Sequence, residues 1–178
     1  MISRILAIDP GTVKSGFMLF TDKLEHNDVL SNEELLELVK KDTLVPDMVV
    51  CEGFRSYGNA VGESTFETAY YIGRLWQTCL NMSIPWKLVF RPDIKLHFCH
   101  TSHAKDTNIR RALLDLFPAT GGGATPQVGT KKEPGPLYGV SSHSWSALAI
   151  ALFARDNMPL FWDKDMHAKM LAERCKRT

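Results

Sequence analysis

Strands and helices that alternate behind an N-terminal hairpin predict an α/β fold with a mixed sheet for this 178-residue chain. Three observations carry the expectation. Ile5 to Asp9 and Asp47 to Gly53 are apolar at nearly every position before an acid, the pattern of short strands covered on both faces. Lys14 to Phe20 follows the first run across a Pro-Gly turn, which predicts an antiparallel hairpin. Beyond the hairpin, segments of helical period alternate with further apolar runs, as in sheets flanked by helices.

The elements follow in order. Strands are expected over residues 3–9 and 14–20, with room for another between Leu19 and Leu30. Asn32 to Lys41 places Leu35, Leu36, Leu38 and Val39 among charges, and Ser31 with Glu34 three residues on forms a capping box, so a short amphipathic helix starts there. After the strand ending at Glu52, the polar, glycine-containing Phe54 to Asn59 reads as a loop. Glu63 to Leu80 reads as a helix, since Phe66, Ala69, Tyr70, Gly73, Trp76 and Leu80 follow helical spacing. Trp86 to Phe90 is a further strand, and Arg91-Pro92 is expected to break the regular structure. Lys105 to Phe117 predicts a helix with a stripe of Ile109, Ala112, Leu113, Leu116 and Phe117. Gly121 to Gly139, rich in Gly, Pro, Thr and Lys, is expected to be a mobile loop. Ser142 to Arg155 closes the fold as an apolar helix. Residues 1–160 form one domain, and 161–178 a charged C-terminal helix or tail.

Bulk properties exclude more than they select. The 21 basic and 20 acidic residues nearly cancel, so only their placement bears on a nucleic-acid partner. Basic residues gather at 87–105, 110–111, 131–132 and 164–177, while acids are dense between Asp22 and Asp47. Cys51, Cys79, Cys99 and Cys175 form no CxxC pair, which argues against a zinc knuckle or a redox motif. No signal peptide and no run approaching about 18 apolar residues is present, so a soluble, cytoplasmic protein with no membrane partner is expected.

The chemistry concentrates at two strand ends. Asp9 and Glu52 each terminate an apolar strand, and a desolvated carboxylate must be neutralised by a proton, a base or a metal. Asp9 alone would equally suit a side chain capping its own turn. The pair points to a divalent cation in the crevice beyond the strand ends, where ligands of such sheets gather.

Asp9-Pro10-Gly11-Thr12 with Gly16, Val50-Cys51-Glu52, Arg91-Pro92-Asp93-Ile94-Lys95, Ala104-Lys105-Asp106, Gly135 to Val140 and Ser146 to Ala151 occur in the order of motifs that resembles RuvC-type Holliday junction resolvases of the RNase H-like superfamily, most closely the small RuvC-like proteins of bacteriophages. The resemblance runs from about Ile5 to Phe153. It implies an RNase H-like mixed sheet and a metal-dependent, structure-selective endonuclease that cleaves DNA phosphodiesters at four-way or branched junctions. It departs at the last helix: the family opens it with Asp-x-x-Asp-Ala-Leu-Ala, and this chain has His143 and Ser146 at the two acidic positions.

What the resemblance implies for the site is a two-metal centre holding Mg²⁺ or Mn²⁺. Asp9 would bridge the ions, Glu52 would bind one and His143 the other, and Asp106 is a further candidate ligand that would otherwise cap its helix. Imidazole suits Mn²⁺ better than Mg²⁺, and a serine hydroxyl is a weak ligand for either. Lys105 would act as an electrostatic catalytic group on the scissile phosphate. Arg55 and Tyr57 are placed to stack on unpaired bases, and Arg91, Lys95, Lys131 and Lys132 to contact DNA phosphates. A two-fold homodimer would match the two scissile strands of a four-way junction. The alternatives are a RuvC-like nuclease for other branched DNA or structured RNA, and a nucleic-acid-binding module with a degenerate site, which Ser146 favours.

Overall fold

The computed structural model describes residues 4–55, 58, 60–157, 169–170, 172 and 176. Five strands and five helices are named: β1 (Ile5–Asp9), β2 (Lys14–Phe20), β3 (Leu24–Ser31), α1 (Asn32–Lys40), β4 (Met48–Gly53), α2 (Glu63–Asn81), β5 (Trp86–Phe90), α3 (Arg91–Cys99), α4 (Asp106–Asp115) and α5 (Ser144–Asp156). They build one sheet in the order β3-β2-β1-β4-β5. The three N-terminal strands are antiparallel, whereas β4 and β5 run parallel to β1. This is the α/β mixed sheet that the hairpin and the two apolar runs predict.

The continuous apolar character of β1, β2 and β4 has a direct cause, because each strand lies between two cores. Side chains alternate across a strand. Ile5, Ala7, Met18, Phe20 and Val50 pack on one face under α3, α4 and α5, and Leu6, Ile8, Phe17, Val49 and Cys51 pack on the other under α1 and α2. Helix α5 lies directly on β1 and β2, and fully buried Ala147, Ala151 and Ala154, spaced at one helical face, permit that close approach. Helix α1 starts with the expected capping box: the Ser31 hydroxyl accepts from the Glu34 N–H at 3.3 Å, and the Ser31 N–H donates to Glu34 at 3.0 Å.

Four expectations are corrected. The Arg91-Pro92 pair does not break the chain; it opens α3, because a proline in the first helical turn has no hydrogen bond to lose there. On α2, Phe66, Tyr70, Trp76 and Leu80 face solvent, and Tyr71, Ile72, Leu75 and Cys79 face the sheet. The helix carries two apolar arcs, and helical spacing alone does not say which one is buried. Leu116 likewise is exposed at the end of α4, while Ile109 and Leu113 are buried.

The fourth correction concerns 121–139, which is a folded loop. Several of its N–H groups bond within the segment, among them Gly121 to the Pro126 carbonyl at 2.8 Å and Gly135 to the Val128 carbonyl at 3.0 Å. Leu137 is fully buried in the α5-side core. The glycines allow this compactness: a Cβ at Gly129 or Gly135 would lie 2.2 Å from neighbouring backbone. The charged helix or tail expected over 161–178 lies mostly outside the described residues; of the four described there, 169, 170 and 172 are helical. No helix among the described residues is long and apolar enough to cross a membrane.

Candidate active site

Parallel pairing puts the acids together. Ile8 is opposite Cys51 in the β1–β4 register, so Asp9 and Glu52, the next residues along, stand side by side at the carboxyl end of the sheet. Gly53 is opposite Phe90 in the β4–β5 pair, so Arg91, the residue after β5, arrives at the same end. Three neighbouring strands thus deliver acid, acid and guanidinium to one crevice.

The first turn of α5 closes that crevice from above. Gly16 on β2 is opposite Asp9, and a Cβ there would lie 2.7 Å from the carbonyl carbon, carbonyl oxygen and Cβ of His143. The bare glycine is what lets the start of α5 rest against the end of β1. The β1–β2 turn is held by Asn32, whose Nδ2 donates to the carbonyls of Gly11 and Thr12 at 3.0 and 3.1 Å. Asn32 Oδ1 in turn accepts from buried Ser15 at 2.6 Å. Asp9 therefore projects from a backbone fixed on both sides.

A chain of polar contacts runs through the site. His143 Nδ1 donates to Asp9 Oδ2 at 3.1 Å, since a carboxylate only accepts, and this leaves Nε2 free of Asp9. A hydrogen bond from Ser146 also stabilises the Asp9 carboxylate. Ser146 Oγ accepts from Arg91 Nη2 at 3.2 Å, the same Nη2 lies 3.1 Å from Asp106 Oδ2, and Nη1 lies 3.1 Å from Glu52 Oε2. Arg91 is the hub of the cluster.

Burial sets the electrostatics. The Glu52 side chain is 14 % exposed, and desolvation pushes its carboxyl up to about 7. Arg91 opposes the rise, while the charges of Asp9 and Asp106 add to it. Burial also raises Asp9, against the opposing pull of the His143 hydrogen bond and the Arg91 charge. The Arg91 guanidinium is held charged by Glu52, Asp106 and Asp9 despite its own desolvation. Acids destabilised as anions even beside a guanidinium make a site with remaining demand for positive charge.

Asp9, Glu52, Asp106, His143 and Arg91 are accordingly brought together. Lys95, one turn into α3 from Arg91, lies close enough for its charge to act on Glu52. Lys105 is exposed at the N-cap of α4, where its N–H donates to Asn108, and stands outside the hydrogen bonds of the cluster. The Arg55 guanidinium sits 3.7 Å over the ring of Phe90, next to Arg91. Tyr57 lies outside the described residues. Lys131 and Lys132 are exposed at the tip of the folded loop.

The candidate ligands meet through Arg91 and do not converge as one ligand set. Among the described residues no three His, Cys, Asp or Glu side chains are grouped so as to enclose a metal ion. Asp9 and His143 supply the oxygen and nitrogen donors suited to a divalent ion on one side, and Glu52, Asp106 and Ser146 are already engaged by the guanidinium on the other. Sequence reasoning placed Arg91 on DNA and missed its place among the acids. The signal was present: Trp86 to Phe90 is a third expected strand, followed directly by a charge.

Beside the cluster, a groove of about 310 Å³ between α4 and α5 runs from Arg91 and Asp106 to Arg110 and Trp145, where the Arg110 guanidinium lies 4.5 Å from the indole centroid. It continues the crevice with a cationic, aromatic surface.

Similar architecture is found among solved structures. Thermus thermophilus RuvC in complex with a Holliday junction substrate superposes with a TM-score of 0.65 at 18 % identity, covering 89 % of this chain and 96 % of that one. The fold is RuvC-type. A second structure of Thermus thermophilus RuvC gives 0.60 at 17 % identity over 88 % of this chain and 96 % of that one. The yeast mitochondrial Holliday junction resolvase Ydc2 gives 0.52 at 15 % identity over 98 % and 84 %. No family model matches the chain. No curated protein matches it in sequence. In this RuvC-type fold the cluster of Asp9, Glu52, Arg91 and His143 occupies the carboxyl end of the central parallel strands, the position at which sheets of this class bind their ligands.

Proposed function

We propose that the protein is a divalent-metal-dependent endonuclease that cleaves DNA phosphodiesters at four-way junctions. The observation that carries the reading is the meeting of Asp9 and Glu52 at adjacent strand ends, with His143 seated on Asp9, in a fold that also serves a RuvC bound to a Holliday junction. A bound Mg²⁺ or Mn²⁺ would supply a water made nucleophilic near neutral pH and positive charge at the phosphate. The chain's own residues do the rest. Asp9 holds the ring of His143 through Nδ1 and leaves Nε2 available for a ligand or a proton. Arg91 presents a fixed cation to the phosphodiester, and Lys95 and exposed Lys105 add charge along its approach. Arg55, Lys131 and Lys132 would contact backbone phosphates of a branched duplex without reading sequence.

A homodimer belongs to the same proposal. Phe66, Tyr70 and Leu80 leave an apolar arc of α2 exposed, with Trp76 at its margin stacked on Trp86 of β5, a surface suited to a second copy. Two copies would present two sites to a two-fold junction. The free thiols of Cys51, Cys79 and Cys99 suit a reducing compartment such as the cytoplasm.

The test is cleavage of a synthetic mobile four-way junction in Mg²⁺ and in Mn²⁺, beside flaps, structured RNA, duplex and single strands. The junction should be cut in preference to the others, and Asp9→Asn should bind it without cutting. Preferred cutting of RNA or flaps would move the substrate assignment. Ser146, standing where a carboxylate would complete an acidic set, favours one other reading, a junction-binding module without catalysis. That reading requires tight binding and no cleavage in either metal.

A further inference from the structure

We infer that Arg91 is a built-in substitute for one of two metal ions, so that the site takes a single divalent cation on the Asp9–His143 side. The inference rests on the nuclease reading for its purpose but not for its test. The geometry is specific: one guanidinium reaches Glu52 through Nη1 at 3.1 Å and both Asp106 and Ser146 through Nη2 at 3.1 and 3.2 Å. A guanidinium presents several donors in a fixed plane, so it can neutralise two carboxylates and satisfy a hydroxyl at once, as a metal ion would with oxygen ligands. Arg91 is delivered to this place by the backbone, because it is the first residue of α3 directly after β5.

The electrostatics agree. Arg91 and Lys95 already act as positive charges on Glu52, and Arg91 acts on Asp9 as well. A second ion on the Glu52–Asp106 side would have to displace the guanidinium that those two carboxylates hold. Ser146 fits the same account. It stands where a second-ion ligand would need negative charge, and it instead bridges Arg91 to Asp9 with a neutral hydroxyl. A carboxylate at 146 would compete with Glu52 and Asp106 for the guanidinium; a hydroxyl accepts from it at little electrostatic cost.

The experiment counts ions directly. Metal-free protein is titrated with Mn²⁺ alone and the free-ion paramagnetic resonance signal is followed. The wild type should bind one Mn²⁺ per protomer. Arg91→Ala, which opens the Glu52–Asp106 side, should bind two, and Arg91→Lys, which keeps the charge and guards against a fold defect in the alanine variant, should bind one. A parallel arm measures junction cleavage against Mn²⁺ concentration, where the wild-type rate should rise with a log–log slope of one. Arg91→Ala should lose most cleavage, and millimolar guanidinium added to it should restore a measurable part. Two ions, or none, on the wild type would overturn the inference, as would a single ion on a folded Arg91→Ala. If the wild type binds one ion and Arg91→Ala two, but no junction is cut in any metal, the inference stands and the nuclease reading falls.

Discussion

Replacing Glu52 by glutamine should make the protein more stable at alkaline pH, and the structure gives both the sign and the size. Glu52 ends β4 with its side chain 14 % exposed, and its carboxyl is raised from 4.5 to about 7, chiefly by desolvation and despite Arg91. Below about pH 4.5 the group is protonated folded and unfolded, and it costs nothing. Between about 4.5 and 7 the unfolded chain loses the proton while the folded chain keeps it, so stability falls as pH rises. Above 7 the loss is complete. At about 1.4 kcal/mol per pH unit, the penalty at pH 8 is about 3 kcal/mol, of order a quarter to a half of a typical domain's stability. Glutamine copies the neutral carboxyl in shape and removes the ionisation, so the variant should escape the penalty.

The assay is urea denaturation of wild type and Glu52→Gln in chelator from pH 4.5 to 8.5. The two midpoints should nearly coincide at the acid end and separate progressively up to about pH 7.5, with the variant the more stable, and then run parallel. A difference that does not vary with pH, or a variant that is the weaker at pH 8, would refute the reasoning, because it would mean that Arg91 compensates the Glu52 anion in full. The same variant should be inactive on junctions. Greater stability joined to lost cleavage marks a carboxylate kept at a cost for its chemistry, and a residue that merely held Arg91 in place would lose stability on replacement.

Gly16→Ala should separate His143 from Asp9, because its Cβ meets rigid backbone at 2.7 Å; cleavage should fall at least tenfold for a stability loss of about 1–3 kcal/mol, measured by junction assay and denaturation. His143→Ala should lose most cleavage in either metal, whereas His143→Asp should shift preference from Mn²⁺ toward Mg²⁺; a metal-activity series checks it. Joint replacement of Phe66 and Tyr70 by Glu should yield monomers in sedimentation experiments with the fold retained, since both side chains are exposed on α2. Lys131→Ala with Lys132→Ala should lower the slope of log affinity against log salt by up to about two, which binding titrations at several salt concentrations will read.

What the sequence reveals depends on whether one local rule decides the outcome. The runs Ile5 to Asp9 and Asp47 to Gly53 were legible because a short run that is apolar throughout and bounded by turn residues suits a strand between two cores, and an acid that ends such a run is carried to the end of the sheet. The capping box at Ser31 and Glu34 is equally local. Helix α2 was not decidable in this way. Its outer arc of Phe66, Tyr70, Trp76 and Leu80 is as apolar as the inner arc of Tyr71, Ile72, Leu75 and Cys79, and only the position of the sheet distinguishes them. The loop over 121–139 misled for the opposite reason. Its glycines and prolines read as freedom, yet Gly129 and Gly135 serve there to let backbone touch backbone, and Leu137 anchors the segment.

Arg91 shows how far the strand-end argument extends when it is applied evenly. A charged residue that follows a strand of the sheet is placed by the sheet whether it is acid or base, and parallel strands in register put their ends in one crevice. Read that way, Asp9, Glu52 and Arg91 are three instances of a single pattern. Their signs then carry information: two anions flanked by a cation in the same backbone frame need less metal than two anions alone. The consequence is checkable without any junction. If the frame is what positions the guanidinium, moving the charge one residue along, as in Arg91→Ala with Pro92→Arg, should not restore the single-ion stoichiometry, because position 92 lies about 100° further round α3. If the second-site arginine does restore it, a cation anywhere near the crevice suffices, and the register of β4 and β5 is irrelevant to how many ions the site takes.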